Sequence, residues 1–125
     1  MKQIISNSNA PAAIGPYSQA VRFGNTVFFS GQIAINPDSG ELVLDSIKSE
    51  TRQVMQNIGA LLRELNCDYS NIIKSSIFLS SMDNFEQVNE VYASFFNQDF
   101  PARETVEVAN LPKFVNVEIS AIAIK

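Results

Sequence analysis

The stretch Phe100-Pro101-Ala102-Arg103-Glu104-Thr105-Val106-Glu107-Val108-Ala109-Asn110-Leu111-Pro112 leads into a run from Phe114 to Ile124 that carries Glu118. Residues 103–109 and 114–124 are rich in Val and Ile and read as strands. Only Asn110-Leu111-Pro112-Lys113 separates them, a connection of hairpin length. A symmetric hairpin pairs Ala109 with Phe114, Thr105 with Glu118 and Arg103 with Ser120. Side chains alternate along a strand, so Arg103, Thr105, Glu118 and Ser120 share one face. Val115, Val117, Ile119 and Ala121 take the other, and a slip of one residue would undo the cluster. An arginine fork among apolar strand residues suits a small planar carboxylate. The same residues equally describe a structural Arg103–Glu118 pair on a solvated sheet face. The chain has no histidine, so any chemistry runs without imidazole.

Working outward, residues 2–6 read as a short strand, and residues 7–18 form a loop broken by Pro11, Gly15 and Pro16. Strands at 19–23 and 26–33 flank the turn Gly24-Asn25, and Asn36-Pro37-Asp38-Ser39-Gly40 is a second turn. Ile47, Thr51, Val54, Met55, Ile58, Leu61, Leu62 and Leu65 make one helical stripe, with Ser46 as N-cap and Asn66 suited to the left-handed position after the last turn. Residues 71–80 read as a strand with Ile73, Ile77 and Leu79 on one face. A second helix starts at Asp83, with Glu86 in capping-box position and an apolar face of Phe85, Val88, Tyr92, Phe95 and Phe96. Asn89 falls on that face, where its amide either bonds nearby backbone or braces a site. The order β-β-β-α-β-α-β-β predicts an α+β fold, a single two-layer domain over residues 1–125 with both helices on one sheet face. The other face is left without cover, which points to a homo-oligomer.

Composition narrows the function classes. Hydrophobic residues make up 46% of 125, enough for one packed domain. The net charge of −4 and the absence of a basic run disfavour a surface that tracks phosphates. Cys67 stands alone, so there is no intramolecular disulfide and no Cys/His metal site, although an all-carboxylate site stays open. No stretch is long enough to span a bilayer and the N-terminus lacks a signal-peptide core, which reads as a soluble cytoplasmic protein with no membrane partner.

Several motifs, in this order, resemble the RidA (YjgF) family of enamine/imine deaminases. They are Ala13-Ile14-Gly15-Pro16-Tyr17-Ser18-Gln19-Ala20, Phe29-Ser30-Gly31-Gln32-Ile33, Val88-Asn89-Glu90-Val91-Tyr92, Phe100-Pro101-Ala102-Arg103, and Val108-Ala109-Asn110-Leu111-Pro112 with Val117-Glu118-Ile119. The resemblance implies a chorismate-mutase-like sheet, a homotrimer with clefts between subunits, and no cofactor. It implies hydrolysis of 2-imino acids, such as 2-iminobutanoate and 2-iminopropanoate, to 2-keto acids and ammonia. By the same resemblance Arg103 binds the substrate carboxylate and Glu118 holds the hydrolytic water, with Tyr17, Ser30 and Asn89 near or lining the cleft.

Three positions depart from the family pattern. Thr105 stands where some deaminating members have cysteine, which bears on substrate range. Glu104 stands where small residues are usual; alternation points it away from Arg103. Ser120 replaces a common glutamate. Two other functions remain: a non-catalytic module binding small carboxylates such as 2-keto acids, for which Arg103 suffices without Glu118, and an RNA-acting protein, against which the acidic charge counts.

Overall fold

The computed structural model describes residues 1–125 and has the expected element order. Strands β1 (Gln3–Ile5), β2 (Ala20–Phe23) and β3 (Thr26–Gln32) precede helix α1 (Ile47–Glu64). Strand β4 (Ile72–Leu79), helix α2 (Phe85–Ala93), β5 (Ala102–Glu107) and β6 (Val117–Ile124) follow. The six strands form one sheet in the order β1-β2-β3-β6-β4-β5.

That order overturns the predicted hairpin. Strand β4 lies between β5 and β6, pairing parallel with β5 and antiparallel with β6. Thr105 is opposite Ile77, which is opposite Ile119; Arg103 is opposite Ser75, which is opposite Ala121. Arg103 and Thr105 therefore share the helix-covered face, while Glu118 and Ser120 lie on the other. The local reason is the segment 108–116. Residues Pro112–Phe114 curl into a short 3-10 turn, with Lys113 and Phe114 at φ 54° and 55°, instead of continuing as strand. The longer connection can cross the two strand spacings, about 10 Å, that separate β5 from β6.

Glu50 fixes where β6 begins. It lies in the first turn of α1, where the helix dipole favours a carboxylate, and it is fully buried. Its oxygens accept from Asn116 N (2.8 Å), Asn116 Nδ2 (2.9 Å) and Val117 N (3.0 Å). The clamp ties α1 to the strand start, immediately before Glu118. Ser46 caps α1 by accepting from Ser49 N, and Asn66 is left-handed at φ 57°. The helical stripe fills the core with Val54, Met55, Ile58, Leu61 and Leu62 against Val27, Phe29, Ile77, Val117 and Ile119.

Two smaller expectations fail. A bulge between Ile72 and Lys74 buries Ile72 and turns Ile73 outward. The second helix begins at Phe85 without a side-chain cap, while Ser81 caps the 3-10 turn before it, and Phe95 and Phe96 lie beyond its end. On the open face, register aligns Ile4, Val21, Phe28 and Ile122 in a row across four strands. Ile4 and Phe28 are about half exposed, the kind of apolar surface that marks an interface. No helix is long and apolar enough to cross a membrane.

If Glu50 sets the start of β6, Glu50→Ala strands a buried donor at Val117 and two part-buried donors at Asn116. Unfolding in urea should show a loss of about 3 kcal/mol, since each orphaned buried donor costs about 1–3. A loss under about 1 kcal/mol would mean that the strand start is set elsewhere.

Candidate active site

Three elements converge on Arg103. Strand β5 is at the sheet edge, and Arg103 lies on its helix-covered face, in register with Ser75. Above it, Phe85, Asn89 and Tyr92 follow one another at helical spacing on α2. The guanidinium carbon lies 5.7 Å from the Phe85 ring centre and 5.3 Å from that of Tyr92. Nη1 donates to Asn89 Oδ1. Tyr92 is held in turn by donating to Ser75 Oγ at 2.9 Å. Its phenol is pushed above the ordinary tyrosine range by burial, against the opposing pull of Ser75 and the Arg103 charge. The structure has two salt bridges, Lys48–Glu90 and Lys74–Glu104, so Arg103 has no carboxylate of its own. Thr105 lies two residues along the same face, and its Oγ1 is buried without a hydrogen-bond partner. Glu104 points to the opposite face, as alternation requires, and takes a hydrogen bond from Ser76 and an ion pair from Lys74.

A second cluster lies on the other face. A cavity of about 540 Å³ is lined by Tyr17, Gln19, Ser30, Gly31, Gln32, Lys113 and Glu118, with Ile14, Ile33, Ile35 and Pro112 among its apolar walls. Strand β3 shifts register between Phe29 and Gln32, and this irregularity brings Ser30 and Gly31 to the wall. Gly31 is required there by contact. A β-carbon on it would be 2.7 Å from Glu118 Oε2 and 2.8 Å from the carboxyl carbon. Glu118 packed on that backbone is half-buried, and desolvation pushes its carboxyl above the ordinary glutamate range. Ser30 Oγ donates to Ser18 O at 2.6 Å, which leaves its lone pairs free to accept.

The six residues singled out from the sequence therefore form two groups of three. Tyr17, Ser30 and Glu118 meet in the cavity, and Arg103, Asn89 and Thr105 meet at the β5 edge. Within one chain the two groups are on opposite faces of the sheet. Phe85, Tyr92, Gly31 and Lys113 were not singled out. The spacing of Phe85, Asn89 and Tyr92 was a visible signal; the contact at Gly31 depends on a bulge and had none.

Comparison with known proteins identifies the family. The family model described as Endoribonuclease L-PSP matches residues 7–125. The chain belongs to the RidA (YjgF) family. Among RidA relatives, a RutC family protein of Pyrococcus horikoshii is 49% identical over 100% of this chain and 99% of its own. The human 2-iminobutanoate/2-iminopropanoate deaminase is 42% identical over 100% of this chain and 91% of its own. The solved structure of YyfA, a Rid family protein from Yersinia pestis, superposes with a TM-score of 0.97 at 48% identity, covering 100% of both chains.

Burial of Glu118 also predicts a pH effect. The fold favours its neutral form, so the stability present below the ordinary glutamate pKa is lost as pH rises through the elevated one. Glu118→Gln should therefore unfold at a higher temperature than the parent at pH 7, with the gap closing toward acid. Scanning calorimetry across that range measures it; a variant that melts below the parent at pH 7 would contradict the assignment.

Proposed function

We propose that this protein hydrolyses 2-imino acids to 2-keto acids and ammonia, in clefts formed between copies of itself in a trimer. The observation that carries the reading is Arg103. A guanidinium is held rigidly by an amide and two aromatic rings, has no carboxylate partner, and lies at a sheet edge. Such a fork is pre-organised for a carboxylate arriving from outside. The apolar row on the open sheet face supplies a surface for a neighbouring copy, and the deaminase name of the human relative supports the substrate class.

In this reading one copy brings Arg103, Asn89 and Thr105, and its neighbour brings the cavity with Glu118, Tyr17 and Ser30. Arg103 takes the α-carboxylate of the imino acid. The protonated imine carbon is already electrophilic, so hydrolysis needs orientation and a water more than a strong nucleophile. Glu118 orients that water and takes its proton as the oxygen bonds to carbon. The elevated pKa of Glu118 brings it nearer the operating pH of a general base. The proton then passes to the amine nitrogen of the tetrahedral adduct; ammonia leaves as the carbonyl forms, while the Glu118 carboxylate takes the hydroxyl proton and releases it to solvent. In this reading the Thr105 hydroxyl, which has no partner within its own chain, and the Tyr17 hydroxyl of the neighbouring copy each bond the substrate. The ribonuclease description of the family model finds less support, since nine Lys and Arg against thirteen Asp and Glu give no excess of positive charge for a nucleic acid.

The test generates 2-iminobutanoate with a threonine dehydratase and follows 2-ketobutanoate with and without this protein. Arg103→Ala should show no detectable activity, and Arg103→Lys should be severely impaired, because an ammonium lacks the fork. Glu118→Gln should lose about 100-fold or more in turnover, the scale of general base catalysis, yet still bind 2-ketobutanoate. Thr105→Ala should lose no more than about tenfold, the worth of one hydrogen bond. Near-parental activity in Arg103→Lys would refute the clamp. Parental turnover in Glu118→Gln would favour a module that binds 2-keto acids without turning imines over.

A further inference from the structure

We infer that Gln19 is a positioning residue that sets Tyr17 over the cavity, an inference that rests on the deaminase reading for its effect on ligands. The connection between β1 and β2 has little regular structure, yet Ala12–Tyr17 forms the mouth of the cavity through Ala12, Ile14 and Tyr17. All six residues of this arch are exposed, Ile14 to 81% and Tyr17 to 54%. Neither aromatic packing nor a side-chain hydrogen bond holds Tyr17 itself. The only bond between backbone groups of the arch runs from Tyr17 N to Gly15 O at 2.9 Å, beside a Gly15 φ of 124° that favours glycine.

What fixes the arch lies at its ends, and both ends run through Gln19. This side chain is 5% exposed and acts on the backbone before the arch. Its Oε1 accepts from Asn7 N at 2.7 Å, and its Nε2 donates to Asn7 O (3.2 Å), Ala10 O (3.3 Å) and Pro11 O (2.6 Å). Pro11 is the residue next to the arch, and Ala10 is buried, so the shortest bond is the one at the hinge. At the other end Gln19 O accepts from Ser30 N at 3.0 Å, while Ser30 Oγ holds Ser18 O. One amide thus ties the entry of the arch to its exit, and Tyr17 is two residues from the knot. Without these bonds the arch keeps its covalent ends but loses the constraint that keeps Tyr17 on the cavity wall.

A purely structural role predicts a lower unfolding temperature and nothing else. A positioning role predicts coupling to Tyr17, so the decisive measurement is a double-mutant cycle on 2-ketobutanoate binding, followed by calorimetry. Gln19→Leu keeps the volume and removes all four side-chain bonds. It should weaken 2-ketobutanoate about tenfold and raise KM for 2-iminobutanoate in step. Tyr17→Phe should weaken binding too, and the double variant should be no weaker than the worse single one. Hydrogen exchange should rise at Tyr17 N, the one hydrogen-bonded amide of the 12–17 arch, while the β3, β4 and β6 amides keep parental protection. Losses that add, or unchanged affinity with only a lowered unfolding temperature, would overturn the inference. If Gln19→Leu fails to fold, Gln19→Glu keeps the acceptor for Asn7 N, loses the donors, and should show the same coupling to Tyr17. If the parent binds no 2-ketobutanoate, the deaminase reading fails by itself. Hydrogen exchange then decides the positioning role, and unchanged exchange in the arch would overturn it.

Discussion

The insertion of β4 between β5 and β6 is the constraint on which the site depends. Strand β4, helix α2 and strand β5 form a parallel crossover unit, so β5 runs alongside β4 and α2 packs over the pair. The crossover places Asn89, Phe85 and Tyr92 of α2 directly above Arg103. It also leaves β6 on the far side of β4, where Glu118 pairs with Phe78 on the opposite sheet face. A direct hairpin between β5 and β6 would have joined the two charges in one chain, where each could neutralise the other. With β4 between them, the arginine keeps a free fork and the glutamate keeps a cavity.

The two charges are then set by different physics. Arg103 is stabilised without an anion, by ring faces and an amide oxygen, which cost it no donor needed at the exposed edge. Glu118 is held in place by close packing on Gly31, and desolvation there raises its pKa. Its height along the sheet follows from a buried carboxylate elsewhere: Glu50 binds the first two backbone positions of the segment that leads to it. Buried acid at the start of α1 and partly buried acid on β6 are thus linked through Asn116 and Val117.

Much of this was legible in the sequence because it is local. The stripe of α1, its Ser46 cap and the left-handed Asn66 follow from spacing and cap chemistry, and the outward turn of Glu104 follows from alternation. The Asn89 position on the apolar stripe of α2 was visible as an anomaly, and its partner proved to be Arg103. The strand order was not legible, because two strand-like runs joined by a turn look alike whether or not a third strand comes between them. Lys113 and Phe114 hid the answer: neither is a residue that favours φ near 55°, so nothing marked the end of the connection at 116. The role of Gln19 was equally hidden, since its bonds go to backbone groups eight to twelve residues away.

The central claim is that Arg103 of one copy and Glu118 of another complete one site. Mixed oligomers test it most directly. Arg103→Ala and Glu118→Gln are each prepared, shown to be inactive, then unfolded together in equal amounts and reassembled. If each site draws the two residues from different copies, about a quarter of the sites in a random mixture hold both parental residues, and about a quarter of parental activity should return. If assembly succeeds and no activity returns, the two residues do not share a site between copies, and the account is wrong.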